Sequence, residues 1–570
     1  MSQVASFLNP KSVVVIGVSR EKDKIGRIVF DQLSAQKENV YGVNPHAKTI
    51  NQRKIYTDVT LLPLDIELAV YATPADGVVN EVEKAAKRGI KNHLIISSGF
   101  KESGPEGLIR EKKLQQLIKT YKISIQGPNC LGNISPVFKT NISFGATPLK
   151  GSIGLILQSG AIGTAFLDWA KDQKIGISHF VSLGNKIDLS ENDFLEFEGK
   201  DKNTKAIGLY LEGLKDPQRL LDLAKEISRR KPVVVLSAGK TKEAKVAISS
   251  HTGALAGSFA SSEAAFSQVG IIEAQDLQQF FLLLELLGHN FPFAFSKTLV
   301  ITNAGGPSVL LADNLASQGF TPYLPDDREK KKLLNQEIGF RNPLDLLGDA
   351  NPARLKKTLD IVPNLASLLL FILLTPQENT DLMAMARIIS DFQKKFKGTL
   401  IVNLVGGERV VLPMNYLKSK KIIVSTFIED LVSALIKIRN YLATDYAILK
   451  LKKAKIILQK KVEADAEVIV GAKKDPEYGH LLAFGSGGIH VEYLRDIKFA
   501  VVPYFSYQTL ETLFKETKIS SFLENPKKLW PVFVSLINLL YDFPQIEEVD
   551  LNPVMIGNNY LRCVDVKIKV

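Results

Sequence analysis

Short β-branched runs alternate with amphipathic stretches along most of the chain, and this alternation predicts a parallel α/β architecture. A loop and a helical period follow each run. Between two early runs, the spacing predicts a helix over Val79–Gly89 with Gly89 as its C-cap. The predicted strands form three doubly wound series: Val13–Ile16, Leu68–Tyr71, His93–Ile96 and Ile123–Ile125; Ile153–Leu157, Ser178–Val181, Ala206–Leu211 and Pro232–Leu236; Thr298–Thr302, Leu368–Leu374 and Thr399–Leu404.

The pattern changes near the C-terminal fifth of the chain. Tyr441–Lys461 is lysine-rich and apolar and contains no turn cluster. From Glu467 onward the residues alternate as in an antiparallel sheet, and the chain ends in the strand-like Leu561–Val570. We therefore predict a terminal α+β unit after the three α/β units.

Length and composition fit a large globular protein. At about 150 residues per domain, 570 residues predict roughly four domains. Cys130 and Cys563 are the two cysteines, which excludes a disulfide scaffold and a multi-cysteine metal site. No signal peptide is predicted, and the most apolar stretches, Leu365–Leu374 and Leu277–Leu287, are too short to span a bilayer. We expect a soluble cytoplasmic protein with no membrane partner.

The net charge of +12 raises the question of an anionic partner. The lysines are spread along the chain, with only small clusters such as Lys452–Lys455 and Lys330–Lys332. No aromatic-interleaved basic stripe or nucleic-acid motif is present. A solvated surface, or a phosphate-rich small ligand such as coenzyme A (CoA) or a nucleotide, explains the charge better than nucleic acid does.

The first unit contains a glycine turn directly after a strand. Gly17 opens the turn Gly17–Ser19, and Gly26 begins the predicted helix that follows. Glycine lets the backbone approach a phosphate, and the amides of a helix N-terminus favour negative charge. The turn is not GxGxxG, and a tight strand-to-helix connection explains it equally well.

The second unit carries three features that point to phosphate chemistry. Gln158–Ala161 follows a strand and places small residues at a helix start, which favours phosphate binding. His251 lies among small residues in Ser249–Gly257, where an exposed imidazole could accept a phosphoryl group, although a capping or surface histidine is the simpler explanation. Glu212 ends a predicted strand, and a carboxylate there could fix a histidine tautomer.

Ten motifs in the expected order resemble the ADP-forming acyl-CoA synthetases (acetate–CoA ligase, ADP-forming), a family related to succinyl-CoA synthetase. They are GPNCLGNISP (Gly127–Pro136), SLGNK (Ser182–Lys186), YLEGLKD (Tyr210–Asp216), SSHTGALAG (Ser249–Gly257), TNAGGP (Thr302–Pro307), NPLDLLGDA (Asn342–Ala350), LTPQ (Leu374–Gln377), EVIVGAKKDPEYG (Glu467–Gly479), FGSGGIHVE (Phe484–Glu492) and DFPQIEEVDLNP (Asp542–Pro553). The resemblance implies a CoA-binding Rossmann domain (1–131), two flavodoxin-like succinyl-CoA-synthetase-type domains (132–292, with the phosphohistidine loop, and 293–445) and a partial ATP-grasp lobe (446–570).

The resemblance also implies roles for individual residues. His251 matches the phosphorylated histidine and Glu212 the carboxylate that supports it. Ser159 and Gly160 would open the helix that receives phosphate at the acyl-CoA site, and Gly485–Gly488, including Gly487 and Gly488, the matching helix at the nucleotide site. Asp550, Asn552 and Asp565 fall where the ATP-grasp lobe supports magnesium and the phosphohistidine, which implies a catalytic role for Asp550 and metal binding by Asn552 and Asp565. The CoA contacts predicted at strand ends of the first unit are Gly17, Ser19, Lys48, Thr73, Pro74, Ser98 and Asn129.

One departure from the family pattern concerns the nucleotide. In single-chain relatives, an N-terminal ATP-grasp lobe that clamps the nucleotide precedes the strand matching EVIVGA. Here Tyr441–Lys461 joins the third unit to that strand almost directly, and no stretch resembles the lobe or its phosphate-binding lysine. The ADP/ATP site is therefore expected to be half open, whereas the CoA half is unaffected.

Three functions follow as hypotheses. The first is an ADP-forming acid–CoA ligase that converts acyl-CoA, phosphate and ADP to acid, CoA and ATP through acyl phosphate and phosphohistidine. The second is a non-catalytic CoA- or acyl-CoA-binding homologue, and the third is a partial-reaction subunit whose partner chain supplies the missing lobe. The retained set His251, Glu212, Ser159, Asn552 and Asp565 favours chemistry over binding alone. The acid (acetate, a branched acid or an aryl acid) and a homo-oligomeric state stay open.

Overall fold

The computed structural model describes residues 4–239, 259–288, 297–334, 341–443, 466–487, 496–521, 523, 525–557 and 560–570. Within these ranges the chain forms α/β units built on parallel strands, followed by a C-terminal unit with an antiparallel sheet. No helix in the described ranges combines the length and the apolar character needed to cross a membrane. The predicted α/β fold class is confirmed.

The first unit has a Rossmann-type sheet in the order β3-β4-β2-β1-β5-β6-β7, parallel except for the β3–β4 pair. Its strands are β1 (Val13–Ile16), β2 (Val40–Val43), β3 (Thr49–Ile50), β4 (Arg53–Tyr56), β5 (Leu68–Tyr71), β6 (Asn92–Ile95) and β7 (Ser124–Gln126); its helices are α1 (Ala5–Leu8), α2 (Ile25–Gln36), α3 (Ala75–Lys87) and α4 (Pro105–Tyr121). The strand order reverses between β1 and β5. Open α/β sheets bind ligands at such a reversal, outside the C-terminal ends of the strands.

The second unit has the sheet order β14-β13-β12-β10-β11-β8-β9, in which β8 and β9 are antiparallel additions to a parallel sheet. Its strands are β8 (Gly132–Ser135), β9 (Thr140–Ser143), β10 (Lys150–Leu157), β11 (Ile177–Ser182), β12 (Ala206–Leu211), β13 (Val233–Ser237) and β14 (Ile271–Glu273); its helices are α5 (Gly160–Asp172), α6 (Glu191–Lys200), α7 (Pro217–Ile227), α8 (Phe259–Gln268) and α9 (Leu277–Gly288). Here the order reverses at β10, which lies between β11 and β12.

The third unit has a parallel sheet in the order β16-β15-β17-β18-β19. Its strands are β15 (Lys297–Thr302), β16 (Leu344–Asp345), β17 (Leu368–Leu374), β18 (Thr399–Leu404) and β19 (Ile423–Ser425); its helices are α10 (Gly305–Ser317), α11 (Asp327–Leu334), α12 (Pro352–Leu359), α13 (Leu382–Gln393), α14 (Glu408–Ser419) and α15 (Ile428–Ala443). Every residue of β17 is buried, because helices cover both faces of a parallel sheet.

The C-terminal unit has an antiparallel sheet in the order β22-β21-β20-β23-β24, with β25 also paired to β23. Its strands are β20 (Ala466–Asp475), β21 (Gly479–Ser486), β22 (Ile497–Val501), β23 (Glu548–Ile556), β24 (Leu561–Cys563) and β25 (Val566–Lys569); its helices are α16 (Tyr507–Lys515) and α17 (Trp530–Asp542). The helices cover one face of the sheet, where Phe484 packs against Phe533. All four residues of β25 are exposed.

The second unit contacts both the third unit and the C-terminal unit. It shares an apolar cluster with the third unit, in which Leu284 of α9 and Leu435 of α15 are fully buried. It holds the C-terminal unit through α8, because the Gln268 side chain bonds both the N–H and the carbonyl oxygen of Val501 on the edge strand β22. The hydroxyl of Tyr504 also donates to Asp222 of α7, over 2.6 Å.

Most predicted elements are confirmed. The runs predicted at Val13–Ile16, Leu68–Tyr71, Ala206–Leu211, Leu368–Leu374 and Thr399–Leu404 are strands with those bounds. The helix predicted over Val79–Gly89 is α3, which starts earlier and ends before Gly89, whose φ is +98°. In the three α/β units, the strands that were not predicted are β2, β3, β4, β8, β9, β14, β16 and β19.

Candidate functional site

The turn after β1 requires glycine at two positions. Gly17 has a φ of +98°, and a Cβ on it would come within 2.5 Å of the Ala72 carbonyl oxygen. A Cβ on Gly26, in the first turn of α2, would come within 2.1 Å of the Gly17 carbonyl oxygen. The N-terminus of α2 therefore packs directly on the turn, at the point where the strand order reverses.

Hydrogen bonds link the loops that carry most of the predicted CoA contacts. The Ser97 hydroxyl donates to the Thr73 carbonyl oxygen over 2.6 Å, and the Asn129 N–H donates to the Ser97 carbonyl oxygen over 3.0 Å. The Asn44 side chain donates to the Val18 carbonyl oxygen over 2.5 Å and so ties the β2 loop to the glycine turn. The structure places the predicted residues around this edge as follows: Gly17, Ser19 and Thr73 partly buried, Lys48, Pro74 and Ser98 exposed, and Asn129 partly buried with a φ of +60°.

In the second unit, Ser159 and Gly160 lie where they were predicted, at the start of α5. The Ser159 hydroxyl accepts the Ile162 N–H over 3.4 Å and caps the helix. A Cβ on Gly160 would meet nothing closer than Leu131, at 3.6 Å. Packing does not require glycine at this position, so its small size leaves the helix N-terminus open to a ligand.

Glu212 is held at the end of β12, next to the start of α5. Its N–H donates to Oε1 of the buried Gln158 over 2.9 Å. Tyr210 lies two residues earlier on the same strand and is hydrogen-bonded to the Glu212 carboxylate; burial and this carboxylate together raise the pKa of the Tyr210 phenol. Sequence reasoning missed both neighbours, although a spacing of two residues on a strand places Tyr210 and Glu212 on one face.

His251 lies outside the described residues. The chain before it is described up to Gly239, and the Ala238 N–H donates to the Leu211 carbonyl oxygen over 2.8 Å, beside Glu212. The chain is described again from Phe259, at the start of α8. Contact between His251 and Glu212 therefore remains a prediction.

In the C-terminal unit, Asp550, predicted to be catalytic, and Asn552, a predicted magnesium ligand, lie on β23, and the second predicted ligand, Asp565, lies between β24 and β25. The Asn552 N–H donates to the Asp565 carbonyl oxygen over 3.2 Å. Among the residues that the structure describes, Oδ1 of Asp550 is buried and finds no hydrogen-bond partner. Burial, Glu548 and Asp565 raise the pKa of the Asp550 carboxyl, against the opposing charge of Lys567. The Asn552 amide and the Asp565 carboxylate supply oxygen ligands, the type that Mg²⁺ prefers, so the donor set fits this ion.

The glycines of FGSGG require a correction. Gly485 does not open a helix: it belongs to β21, and a Cβ on it would come within 2.0 Å of the Asp496 carbonyl oxygen. The Gly487 N–H already donates to the Glu467 carbonyl oxygen over 2.9 Å, so it is not free for a phosphate. Close approach of neighbouring backbone explains both residues, and Gly488 lies outside the described residues.

Comparison with known proteins gives matches for three of the units. Family models match for a CoA binding domain at residues 11–136, a succinyl-CoA ligase like flavodoxin domain at 150–287 and an ATP-grasp domain at 430–570. The chain is 30% identical to acetate–CoA ligase (ADP-forming) I of Archaeoglobus fulgidus, over 98% of each chain. It also resembles the solved structure of dinucleotide-forming acetyl-coenzyme A synthetase 1 of Ca. Korarchaeum cryptofilum in complex with phosphate and ADP, with a TM-score of 0.73 and 31% identity over 78% of this chain and 98% of that chain.

These domains and sites define an acyl-CoA ligase of the succinyl-CoA ligase type. The chain belongs to the family of ADP-forming acyl-CoA ligases. The family, the enzyme class and the function predicted from the motifs are confirmed.

Two lengths bear on the nucleotide lobe. The alignment with the Archaeoglobus relative extends over 681 positions although this chain has 570 residues, so at least 111 aligned positions hold no residue of this chain. A further match, 31% identical over 121 residues, relates 20% of this chain to 52% of acetate–CoA ligase (ADP-forming) I subunit beta of Pyrococcus furiosus. The chain thus covers about half of that subunit.

Proposed function

We propose that this ligase works in three steps. Phosphate attacks the acyl carbon of acyl-CoA: a C–O bond forms, the C–S bond breaks, and CoA leaves as the thiol. The imidazole of His251 then takes the phosphoryl group, as an N–P bond forms and the acid leaves as a carboxylate. Finally a terminal oxygen of ADP takes the phosphoryl group, which gives ATP and frees the histidine.

One observation carries the first two steps. Glu212 and the open N-terminus of α5 lie on adjacent strands at the reversal of the second sheet, and Gln158 joins them. Phosphate at the N-terminus of α5 would meet backbone amides and the positive end of the helix dipole. A histidine oriented by Glu212 at this place would face that phosphate.

CoA is assigned to the C-terminal edge of the first sheet. The strand-order reversal, the close contact between Gly17 and Gly26 and the hydrogen-bonded loops support this assignment. Lys48, exposed on the β2 loop, would offer a positive charge to a CoA phosphate. The domain bounds 1–131, 132–292, 293–445 and 446–570 are kept as part of this proposal.

Magnesium is assigned to Asn552 and Asp565, and Asp550 beside them is kept as a proposed catalytic residue. When bound, the ion neutralises phosphate charge on the nucleotide. The chain's own contribution is to hold Asn552, on β23, beside Asp565, which lies between β24 and β25, through the hydrogen bond from the Asn552 N–H to the Asp565 carbonyl oxygen.

The experiment that tests this function is phosphorylation of the protein. With labelled phosphate and a set of acetyl-, isobutyryl- and phenylacetyl-CoA, we expect label that survives base and is lost in acid, as phosphohistidine does. The label should disappear in His251→Asn. Label that persists in this variant would contradict the assignment. Binding of CoA by calorimetry without label from any thioester would favour the non-catalytic CoA-binding function instead.

A second candidate, a subunit that completes only the acyl phosphate and phosphohistidine steps, is favoured by the two lengths given above. The alignment with the Archaeoglobus relative includes at least 111 positions without a residue of this chain, and this chain covers about half of a separate beta subunit. A partner chain with the other lobe would close over the nucleotide. Small-molecule substrates and this partner are the proposed binding partners.

A further inference from the structure

The loop after β12 is tied to the loop after β11 by a buried ion pair. We propose that Lys186 and Glu191 are positioning residues that hold Glu212 in place for phosphorylation of His251. The inference rests on the proposed function of Glu212. It also gives a role to the lysine of the SLGNK motif, to which the resemblance assigns none.

Both side chains of the Lys186–Glu191 pair also form hydrogen bonds to the backbone of the loop after β12. Nζ of Lys186 donates to Oε2 of Glu191 over 2.9 Å and to the Gly213 carbonyl oxygen over 2.6 Å. The other carboxylate oxygen of Glu191 accepts the Lys215 N–H over 3.1 Å. The pair therefore binds the backbone at Gly213 and Lys215, directly after Glu212.

Glu212 is held from the other side as well. Its own N–H donates to the Gln158 side chain, so the peptide unit before Glu212 and the one after Gly213 each have a buried anchor. Gln158 directly follows β10 and Lys186 lies in the loop after β11, and these two strands are neighbours in the sheet. A shift of Glu212 by about 1 Å would be enough to slow a step that depends on its orientation by roughly 100-fold.

The burial of Lys186 and Glu191 favours a positioning role over direct binding of a ligand. The side chain of Lys186 is 7% exposed and that of Glu191 is 0% exposed, so neither presents a charge to solvent. Glu191 is the first residue of α6, where the helix dipole favours a carboxylate. A lysine that binds phosphate would present its ammonium group in the cleft. The ammonium group of Lys186 instead donates hydrogen bonds to the Glu191 carboxylate and to the Gly213 carbonyl oxygen.

The test measures the initial rate of histidine labelling, together with CoA affinity. We expect Lys186→Met to slow labelling by about 10- to 100-fold and to leave the Kd for CoA within about twofold, since CoA contacts the first unit. Removing one partner alone leaves a buried charge. The paired variant Lys186→Met with Glu191→Leu avoids that cost and should show the same loss. Lys200→Met, which breaks the exposed pair with Glu196, is the matched control and should label at the wild-type rate.

The Glu212→Gln background separates positioning from a general loss of structure. If Lys186 acts through Glu212, adding Lys186→Met to Glu212→Gln should change the labelling rate by less than about threefold. The inference is overturned if Lys186→Met slows labelling as much in the Glu212→Gln background as in the wild-type protein. It is also overturned if both Lys186 variants label at the wild-type rate. Absence of label in the wild-type protein would instead overturn the proposed function.

Discussion

At the scale of single residues, the sequence predicted the position of Glu212 but not the buried polar side chains that hold it. Glu212 was predicted because it ends an apolar strand, and its place at the sheet edge follows from the strand pattern alone. Gln158 and Lys186 could not be predicted as its anchors, since their partners come from other strands and loops. The role of a buried polar residue depends on its hydrogen-bond partners, which sequence spacing does not reveal.

His93 provides a pH-dependent test at this scale. It is fully buried; its Nε2 lies 3.1 Å from the Ile90 carbonyl oxygen, so this nitrogen carries the proton, and Nδ1 accepts the Tyr71 hydroxyl over 2.7 Å. Burial lowers its pKa from 6.5 to about 4. The unfolded chain therefore binds a proton more readily, so the neutral pair stabilises the first unit fully above pH 6.5 and progressively less as the pH falls toward 4.

We expect the first unit to lose about 2–3 kcal/mol of opening free energy from this residue between neutral pH and pH about 4.5. Hydrogen exchange of peptides that cover β6 measures this locally, without assuming two-state unfolding of the whole chain. In His93→Gln this part of the pH dependence should vanish, whereas His46→Gln, at an exposed histidine, should keep it. An unchanged slope in His93→Gln would show that other groups are responsible.

At the scale of elements, the buried parallel strands were predictable and the polar ones were not. Leu368–Leu374 is a continuous apolar run because both faces of the third sheet are covered. β8 was missed because it contains Asn133, a polar residue in a fully buried strand. Its amide is satisfied by Gln126 in a reciprocal pair, over 2.7 and 2.8 Å, a contact between two different sheets. A pattern-based prediction counts such a strand as loop.

The contact between α2 and the glycine turn gives a prediction for this scale. Gly26→Ala would place a Cβ 2.1 Å from the Gly17 carbonyl oxygen, so α2 must shift. We expect a loss of about 1–3 kcal/mol of stability and weaker CoA binding. Gly77→Ala is the matched control: it lies in α3 with nothing within 4 Å of the added carbon, and alanine favours a helix. Thermal unfolding and CoA calorimetry on both variants check this, and equal behaviour would refute the packing argument.

At the scale of the whole molecule, the order of units follows from the motifs, but the completeness of the nucleotide site does not. Phosphoryl transfer depends mainly on positioning and charge stabilisation, and the sequence predicts only one of the two ATP-grasp lobes that would provide them. We expect the isolated chain to label its histidine much faster than it forms ATP. ATP yield from acyl-CoA, phosphate and ADP, measured beside labelling in one preparation, tests this. A chain that carries the other lobe should restore ATP formation, and rapid ATP synthesis by the isolated chain would contradict the prediction.

The two edges of the C-terminal sheet differ in how they avoid unwanted association. At β22 the Gln268 side chain occupies the backbone groups of Val501 much as a neighbouring strand would. At β25 the edge is open, and Val566 and Ile568 are exposed. Lys567 and Lys569 alternate with them, so a second strand laid along this edge would have to accommodate two ammonium groups. In the described part of the chain no helix covers this edge, and charge protects it against aggregation.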